Sequence, residues 1–454
     1  MGAGKSTLGS RVAARLARPL IDLDAEIERH AAASISTIFA TRGEVEFRAI
    51  EEKLAREALD SAVPAVISLG GGAMVSKATA RRLRERALTV FVEVEVDEAW
   101  KRARRSRRRP LAERESEFRQ LFEQRLPLYE DAADARARDA DDIVLAAAGV
   151  LVEGGSYGRL ADLVPEQVEI VIDERVRKLH PPPLQAPEHA VAIGEQAKTF
   201  ETCARLWQDL RLERGGTVVA VGGGSTTDVG GYVAAAYLRG ISWVAVPTTL
   251  VGQVDAAIGG KTGIDLPQGK NLVGAFHWPE RTLVDHELLG TLPAAQRRNG
   301  MAEVVKTGLL AGEELWELPE PELVRRCAAF KAAVCLRDPR EEGERAMLNL
   351  GHTFAHALEA ASEYALPHGE AVALGLTAAL RLSDLPDDAS RVDELLEPQP
   401  ARVDLDTAWE ALQRDKKARG GRVELVLLDA PGKPRTGVEL PAKDVRGALA
   451  DLIA

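Results

Sequence analysis

The sequence predicts an α/β chain in three successive parts: a P-loop domain that lacks its first strand, a dinucleotide-binding α/β domain and an α-helical metal-binding domain. Three observations predict it. The chain opens on Gly-Ala-Gly-Lys-Ser-Thr, Gly2 to Thr7, directly ahead of apolar residues at helical spacing (Leu8, Val12, Leu16). A middle region strings together short apolar runs whose ends carry Gly, Asp and Thr, as in an open sheet that binds ligands at its strand ends. Beyond Pro293 the texture turns to long amphipathic helices, and His352, His356 and His368, three of the eight histidines, fall within seventeen residues.

At 454 residues the chain exceeds one ordinary core and calls for two or three domains. Hydrophobic content of 45% and charged content of 28% describe a globular protein in water. No apolar run reaches membrane-span length and no signal peptide precedes the first motif, so a cytoplasmic protein without membrane attachment is expected. Cys203, Cys327 and Cys335 form no CxxC pair, which argues for a reducing compartment. Residues 1–150 hold 26 Lys+Arg against 25 Asp+Glu, so the net charge of −11 belongs to the remainder. Neither part has the basic character of a nucleic-acid binder, and small molecules are the expected partners.

In the P-loop, backbone amides and Lys5 would hold the β- and γ-phosphates of ATP, with Gly2, Gly4 and Thr7 completing the loop and Ser6 ligating Mg²⁺. The full motif has a further glycine four residues before Gly4, and a strand before that. Neither is present, so the natural chain is expected to begin upstream of Met1. Leu20 to Asp24 reads as a short strand that delivers Asp22 and Asp24 to one side, one to organise Mg²⁺ and the other to take a substrate hydroxyl. Arg48 falls on a helix. Val63–Leu69, ending in Gly70-Gly71-Gly72, and Leu88–Val96 read as strands. Lys101–Arg109 carries seven basic residues in nine without interleaved aromatics, and reads as a mobile lid whose Arg109 reaches the nucleotide. Arg125 is a second group for an anionic substrate. Asp139–Leu145 reads as a last short strand, followed by a glycine-rich, weakly patterned linker.

In the middle region, Val168–Asp173, Val218–Gly224 and Ile241–Val246 read as strands. Gly222-Gly223-Gly224 would let a pyrophosphate approach the backbone, with Asp228 four residues beyond and Thr248-Thr249 at the next strand end. Pro247 to Phe276 holds six glycines in thirty residues, with Asp255, Lys261, Lys270 and Asn271 among them, and reads as the anion-binding wall of an active site. In the helical part Glu303 joins the three histidines as a metal-type residue. His352 and His356, at i and i+4, share a helical face, and spacing alone nominates them as a chelating pair. Glu341, Arg345 and Asn349, again four apart, continue that face upstream.

On Gly2–Thr7, Asp22/Asp24, Phe47-Arg48, the glycines 70–72, Arg109-Pro110-Leu111 and Arg125 to Tyr129, the N-terminal part resembles shikimate kinase. The resemblance implies ATP-dependent phosphorylation of the shikimate 3-hydroxyl, with Asp24, Arg48, Gly71 and Arg125 holding shikimate and Arg109 covering ATP. From Val168 onward the chain resembles 3-dehydroquinate synthase: GGGxxxD, PTTLxxQVDAxIGGKTG, KNLxGAF, GMAEVVK, LNxGHTxxHAxE, HGEAVAxG and Asp415-Lys416-Lys417 occur in order. That implies conversion of 3-deoxy-D-arabino-heptulosonate 7-phosphate to 3-dehydroquinate and phosphate, with NAD regenerated in each turnover. It implies Glu303, His352 and His368 as ligands of Zn²⁺ or Co²⁺, and His356 as a proton-transfer group, against the nomination by spacing. Asp255, Lys261, Lys270, Asn271, Lys306, Lys331, Arg345, Asn349 and Lys416 match substrate-contacting positions; Lys261, Asn271, Lys306, Arg345 and Asn349 join His356 and Glu341 in the expected catalytic set. Arg239 would come from the neighbouring subunit of a homodimer. Asp228, Thr248, Thr249, Glu195 and Lys198 would contact NAD.

The sequence departs from that pattern at Ala257, Asp265 and Trp278. The expected organisation is thus a P-loop kinase domain at 1–147, a linker at 148–165, an NAD-binding α/β domain at 166–290 and an α-helical metal and substrate domain at 291–454. An alternative reading is a zinc-dependent polyol dehydrogenase fold joined to a nucleotide-binding module without catalysis.

Overall fold

The computed structural model describes residues 2–105, 114–418 and 423–454, and for 105 and 414–418 the backbone alone. Arg109 and the Lys416 side chain lie outside the described residues. The chain divides into two compact units, Met1–Ala147 and Ala148–Ala454.

In the first unit the helix Lys5–Arg15 starts from Gly4, whose left-handed backbone (φ 77°) turns the chain into it. Gly9 of this helix lies against Leu20, Val66 and Ser68, so the helix covers β1 (Leu20–Asp22) and β2 (Val66–Ser68), which pair in parallel. A second parallel pair joins β3 (Val90–Val92) to β4 (Ala135–Ala137), and among the described residues no strand connects the two pairs. Leu23, Ile27, Ile38, Phe47 and Ala55, spaced along the helices Leu23–Ala31 and Ile35–Asp60, form the local core.

Two sequence expectations fail here for local reasons. Asp22 and Asp24 do not share an extended chain: β1 stops at Asp22, whose carboxylate accepts the Ala25 amide at 3.3 Å and caps the helix Leu23–Ala31. Asp24 therefore sits in a first helical turn. Asp139–Leu145 is not a strand either. The Asp139 side chain accepts the Asp142 amide at 3.1 Å, an alanine-rich helix Ala140–Ala147 follows, and Asp141 ties it by an ion pair to Arg15.

The second unit opens where a linker is expected, yet β5 (Val150–Val152) is already the edge strand of a six-stranded parallel sheet. Its other strands are β6 (Val168–Asp173), β7 (Glu188–Val191), β8 (Thr217–Gly222) and β9 (Ser242–Pro247). After a hairpin of β10 (Lys261–Leu266) and β11 (Gly269–Phe276), the chain returns to it as β12 (Arg281–Val284). The order is β5-β12-β9-β8-β6-β7. Every position of β6 and β8 is buried, which a parallel sheet covered on both faces requires. Val171, Val218, Ala220, Trp243 and Ala245 pack in the core of one face, and Ile170, Ile172, Val219, Val221 and Val244 in that of the other. The chain leaves β6 outward to β7 and then crosses back to β8, so a crevice opens beyond the carboxyl ends of β6 and β8.

The helical part is built on a separate core that includes Val305, Leu309, Phe354, Leu358, Val372 and Leu376. An antiparallel hairpin, β13 (Leu425–Ala430) with β14 (Lys433–Val438), joins it, so the expected all-helical texture is broken near the C-terminus. The expected helical stripe through Glu341, Arg345 and Asn349 is also absent. Pro339 and Gly343 interrupt it: Glu341 has a left-handed backbone (φ 58°), Glu344–Asn349 is a short 3₁₀ turn, and the α-helix begins only at His352.

Candidate functional site

Two close crossings of backbone bring the metal-type residues together. The helix His368–Leu382 meets the start of His352–Ala361 at Gly375, where a Cβ would stand 2.1 Å from the Gly351 carbonyl oxygen. Gly369, the second residue of the same helix, lies against Asn299 of the helix Ala294–Ala311, where a Cβ would stand 2.3 Å from the Asn299 Cα. Only glycine permits either approach. As a result Glu303, His352 and His368 each offer one ligand atom, all within 4.8 Å of one another. Glu303 Oε1 lies 3.0 Å from His368 Nε2 and 3.5 Å from His352 Nε2. His352 Nδ1 sits 3.2 Å from the Leu350 carbonyl, which orients the ring and turns Nε2 to the site. His356 stands edge-on to His352, with ring centroids 5.4 Å apart, and is not a member of the triad. Burial and the neighbouring His352 push His356 down to about 4, so its imidazole is neutral at physiological pH. A Glu/His/His donor set of this size suits Zn²⁺ or Co²⁺ and leaves coordination positions open.

A lattice of buried charge adjoins the triad. The Lys306 ammonium is 2.5 Å from Glu303 Oε2 and 3.4 Å from Asp255 Oδ2, and Lys331 pairs with the same Asp255 and donates to its carbonyl at 2.7 Å. Burial alone would raise the Asp255 carboxyl, but Lys306 and Lys331 hold it below its ordinary range. Asp255 lies in a wide π-helical turn, Gly252–Ala256, that follows Thr248-Thr249 at the end of β9. Lys261 starts β10 and donates to Glu341 at 2.5 Å, and Glu341 accepts from Asn349 Nδ2 at 3.1 Å. Burial outweighs Glu341 and lowers Lys261 below an ordinary lysine. Arg345 is buried beneath the hairpin, donating to the Gly259 and Pro339 carbonyls at 2.9 and 3.0 Å. Thus Glu341, Arg345 and Asn349 belong together in space, through a loop and not through a helical face.

At the crevice, Gly222 closes β8, Gly224 opens the helix Gly224–Ala236 and Asp228 lies in that helix. Thr248 donates its amide to the Gly222 carbonyl at 2.8 Å, and a Cβ on Gly223 would meet Thr249 Cγ2 at 3.1 Å. Lys198, buried after β7, donates to Asp228 at 2.8 Å, and Glu195 accepts from Ser225. Lys270 joins this edge to the metal triad, 3.1 Å from Glu359 and 3.8 Å from Glu195. Arg239 is exposed on a left-handed turn (φ 69°) and shares no ion pair with these groups among the described residues.

In the first unit, Asp24, Arg48, the glycines 70–72 and Arg125 converge. A Cβ on Gly70 would lie 3.0 Å from Asp24 Oδ1, one on Gly72 would overlap Arg48 Nη1, and Arg125 donates to the Gly71 carbonyl at 3.2 Å. Lys5, Ser6 and Thr7 occupy the first turn of the helix that begins after Gly4.

Two buried carboxylates carry weight that the sequence reading did not give them. Glu51 accepts from Arg48 at 2.6 Å; it sits three residues further along the same helix, and that spacing was the available signal. Glu359 bridges Lys270 to His368 Nδ1, the latter at 3.4 Å, and the two partners hold it down to about 2 against burial. Its signal was its place three residues after His356. Because Glu359 lies against the ring of His368, a candidate ligand, Glu359→Gln is expected to weaken metal affinity by about 10–100-fold, read by titration of the metal-free protein with Zn²⁺. An unchanged affinity would remove Glu359 from the metal's support.

The profile of the shikimate kinase family matches residues 1–152, and those of the 3-dehydroquinate synthase N-terminal and C-terminal parts match 188–299 and 300–418. The 3-dehydroquinate synthase of Methylacidiphilum infernorum is 39% identical over 335 residues, covering 67% of this chain and 94% of the relative. That of Gloeobacter violaceus is 44% identical over 303 residues, covering 60% and 84%. Among solved structures, a 2-epi-5-epi-valiolone synthase from Streptomyces hygroscopicus with NAD⁺ and Zn²⁺ bound is 28% identical with a TM-score of 0.61, over 67% of this chain and 96% of that one. A 2-deoxy-scyllo-inosose synthase complexed with carbaglucose-6-phosphate, NAD⁺ and Co²⁺ is 25% identical with a TM-score of 0.59, over the same shares. The chain belongs to the 3-dehydroquinate synthase family and carries ahead of the synthase a domain of the shikimate kinase family.

Proposed function

We propose that the second unit converts 3-deoxy-D-arabino-heptulosonate 7-phosphate to 3-dehydroquinate and phosphate, and that the first transfers phosphate from ATP to the shikimate 3-hydroxyl. The observation that carries the synthase reading is the meeting of the Glu303/His352/His368 triad with the Lys306–Asp255–Lys331 lattice beside a dinucleotide crevice. A bound metal would polarise a carbinol oxygen there, and bound NAD would supply a reversible hydride acceptor. The protein groups have separate tasks. Lys270, Lys306, Lys331 and Arg345 supply positive charge for a sugar phosphate with a carboxylate, and Asn271 and Asn349 supply neutral hydrogen bonds. The neutral His356 imidazole can accept a proton, and Lys261 Nζ, already lowered by burial and hydrogen-bonded to Glu341, can exchange one. Glu195, Lys198, Asp228, Thr248 and Thr249 line the crevice that takes NAD. The Lys416 side chain and a partner subunit's Arg239 complete the phosphate site in this reading, which therefore includes a homodimer.

In the first unit Gly2, Gly4, Lys5, Ser6 and Thr7 hold the ATP phosphates, Ser6 and Asp22 place Mg²⁺, Arg109 covers the nucleotide, and Asp24, Arg48, Gly71 and Arg125 hold shikimate. Three free, buried cysteines fit a reducing compartment, and among the described residues no helix is long and apolar enough to cross a membrane; we place the protein in the cytoplasm. The test is to assay one preparation twice. Shikimate with Mg²⁺ and ATP should yield ADP and a phosphorylated shikimate, and the sugar phosphate with NAD and Zn²⁺ should yield inorganic phosphate. Failure of either assay overturns the reading of that unit.

A further inference from the structure

The hairpin that presents Lys270 and Asn271 has little core of its own: Leu272 and Phe276 are 58% and 48% exposed. Something other than apolar packing must fix its tip. The pairing of β10 with β11 is regular up to Ile264 opposite Val273, then shifts before Leu266 meets Gly269, so that the single residue Asp265 stands opposite three, Lys270 to Leu272. From that position the Asp265 carboxylate accepts the Asn271 amide at 2.8 Å, and the Asp265 amide donates to the Lys198 carbonyl at 2.9 Å. Asn271 adopts a left-handed backbone (φ 56°), a conformation that needs outside support in a residue with a side chain. Its side-chain oxygen accepts from Lys198 Nζ, which also reaches Asp228 at 2.8 Å and Asp265 at 3.9 Å. Lys198 is buried, so its end of this circuit is shielded from water, while the Asp265–Asn271 contact at the tip is exposed.

We propose that Asp265 is a positioning residue: its carboxylate holds Asn271 in the left-handed conformation and pins the substrate-facing hairpin to Lys198 of the dinucleotide crevice. This rests on the synthase reading above. The role asks for a hydrogen-bond acceptor on a short side chain, which asparagine also supplies, and not for a negative charge. Its loss should loosen the tip and weaken the grip on the sugar phosphate, while NAD keeps the Lys198–Asp228 pair.

The experiment compares Asp265→Ala and Asp265→Asn in the full chain. Asp265→Ala should raise KM for the sugar phosphate about five- to tenfold with kcat little changed, as expected for one lost hydrogen bond in substrate positioning. NAD affinity, titrated without sugar phosphate, should stay within about twofold of the parent. Amide hydrogen exchange should accelerate in peptides spanning 266–276 and not in β6, β8 or β9. Asp265→Asn should restore both KM and exchange. Parental KM and exchange in Asp265→Ala, an equal defect in Asp265→Asn, or faster exchange throughout the sheet would each overturn the proposal. The exchange measurement needs no turnover, so it separates failure of this proposal from failure of the synthase reading, which would show as no phosphate release by the parent.

Discussion

His368→Ala is expected to lower bound metal and to cut phosphate release from the sugar phosphate by on the order of 10²–10³-fold, the scale of losing one electrostatic stabiliser of a transition state. The reason is geometric. Among the described residues His368 offers one of the three atoms that come together as candidate metal ligands, and it lies 3.0 Å from Glu303, whose carboxylate is wholly buried. Its helix is anchored independently, through Gly369 on Asn299 and Gly375 on Gly351, so the variant should fold. Metal content by elemental analysis and phosphate release check the two halves of the expectation. A fully metallated variant with parental turnover would remove His368 from the ligand set.

Lys5→Ala is expected to abolish shikimate phosphorylation, with a loss again on the order of 10²–10³-fold, while phosphate release by the synthase stays at the parental rate. Lys5 is the first residue of the helix Lys5–Arg15, where the amide dipoles already favour an anion, and its ammonium adds a positive charge to the loop motif. ADP formation dependent on shikimate, measured beside phosphate release in one preparation, is the check. Loss of both activities would contradict two independent sites.

What the sequence made legible was whatever local chemistry could carry. Glycine, aspartate and threonine at strand ends marked the dinucleotide crevice because a parallel sheet must place its ligands there, and β8 and β9 end at Gly222 and Pro247. The candidate metal triad was legible only through family likeness; spacing favoured His352 with His356, but the crossings at Gly375 and Gly369 bring His352 together with His368. Periodicity misled at Glu341, Arg345 and Asn349, whose steps of four suit a helix that Pro339 and Gly343 do not allow. It misled again at Asp139–Leu145, where a side-chain cap converts a short apolar run into a helix. Glycine-rich Pro247–Phe276 suggested an anion site but did not reveal the hairpin, since a hairpin with exposed apolar residues and a polar clamp has no alternating pattern to read. Glu359 and Glu51 became visible only once their partners were placed in space.

The synthase unit is expected to eliminate phosphate while leaving its NAD pool oxidised. The direct measurement gives the enzyme, loaded with Zn²⁺, an excess of sugar phosphate over NAD and follows inorganic phosphate and NADH together. Phosphate released in large molar excess over NAD, with no net NADH, is the predicted result; NADH accumulating without phosphate would contradict it and identify a dehydrogenase.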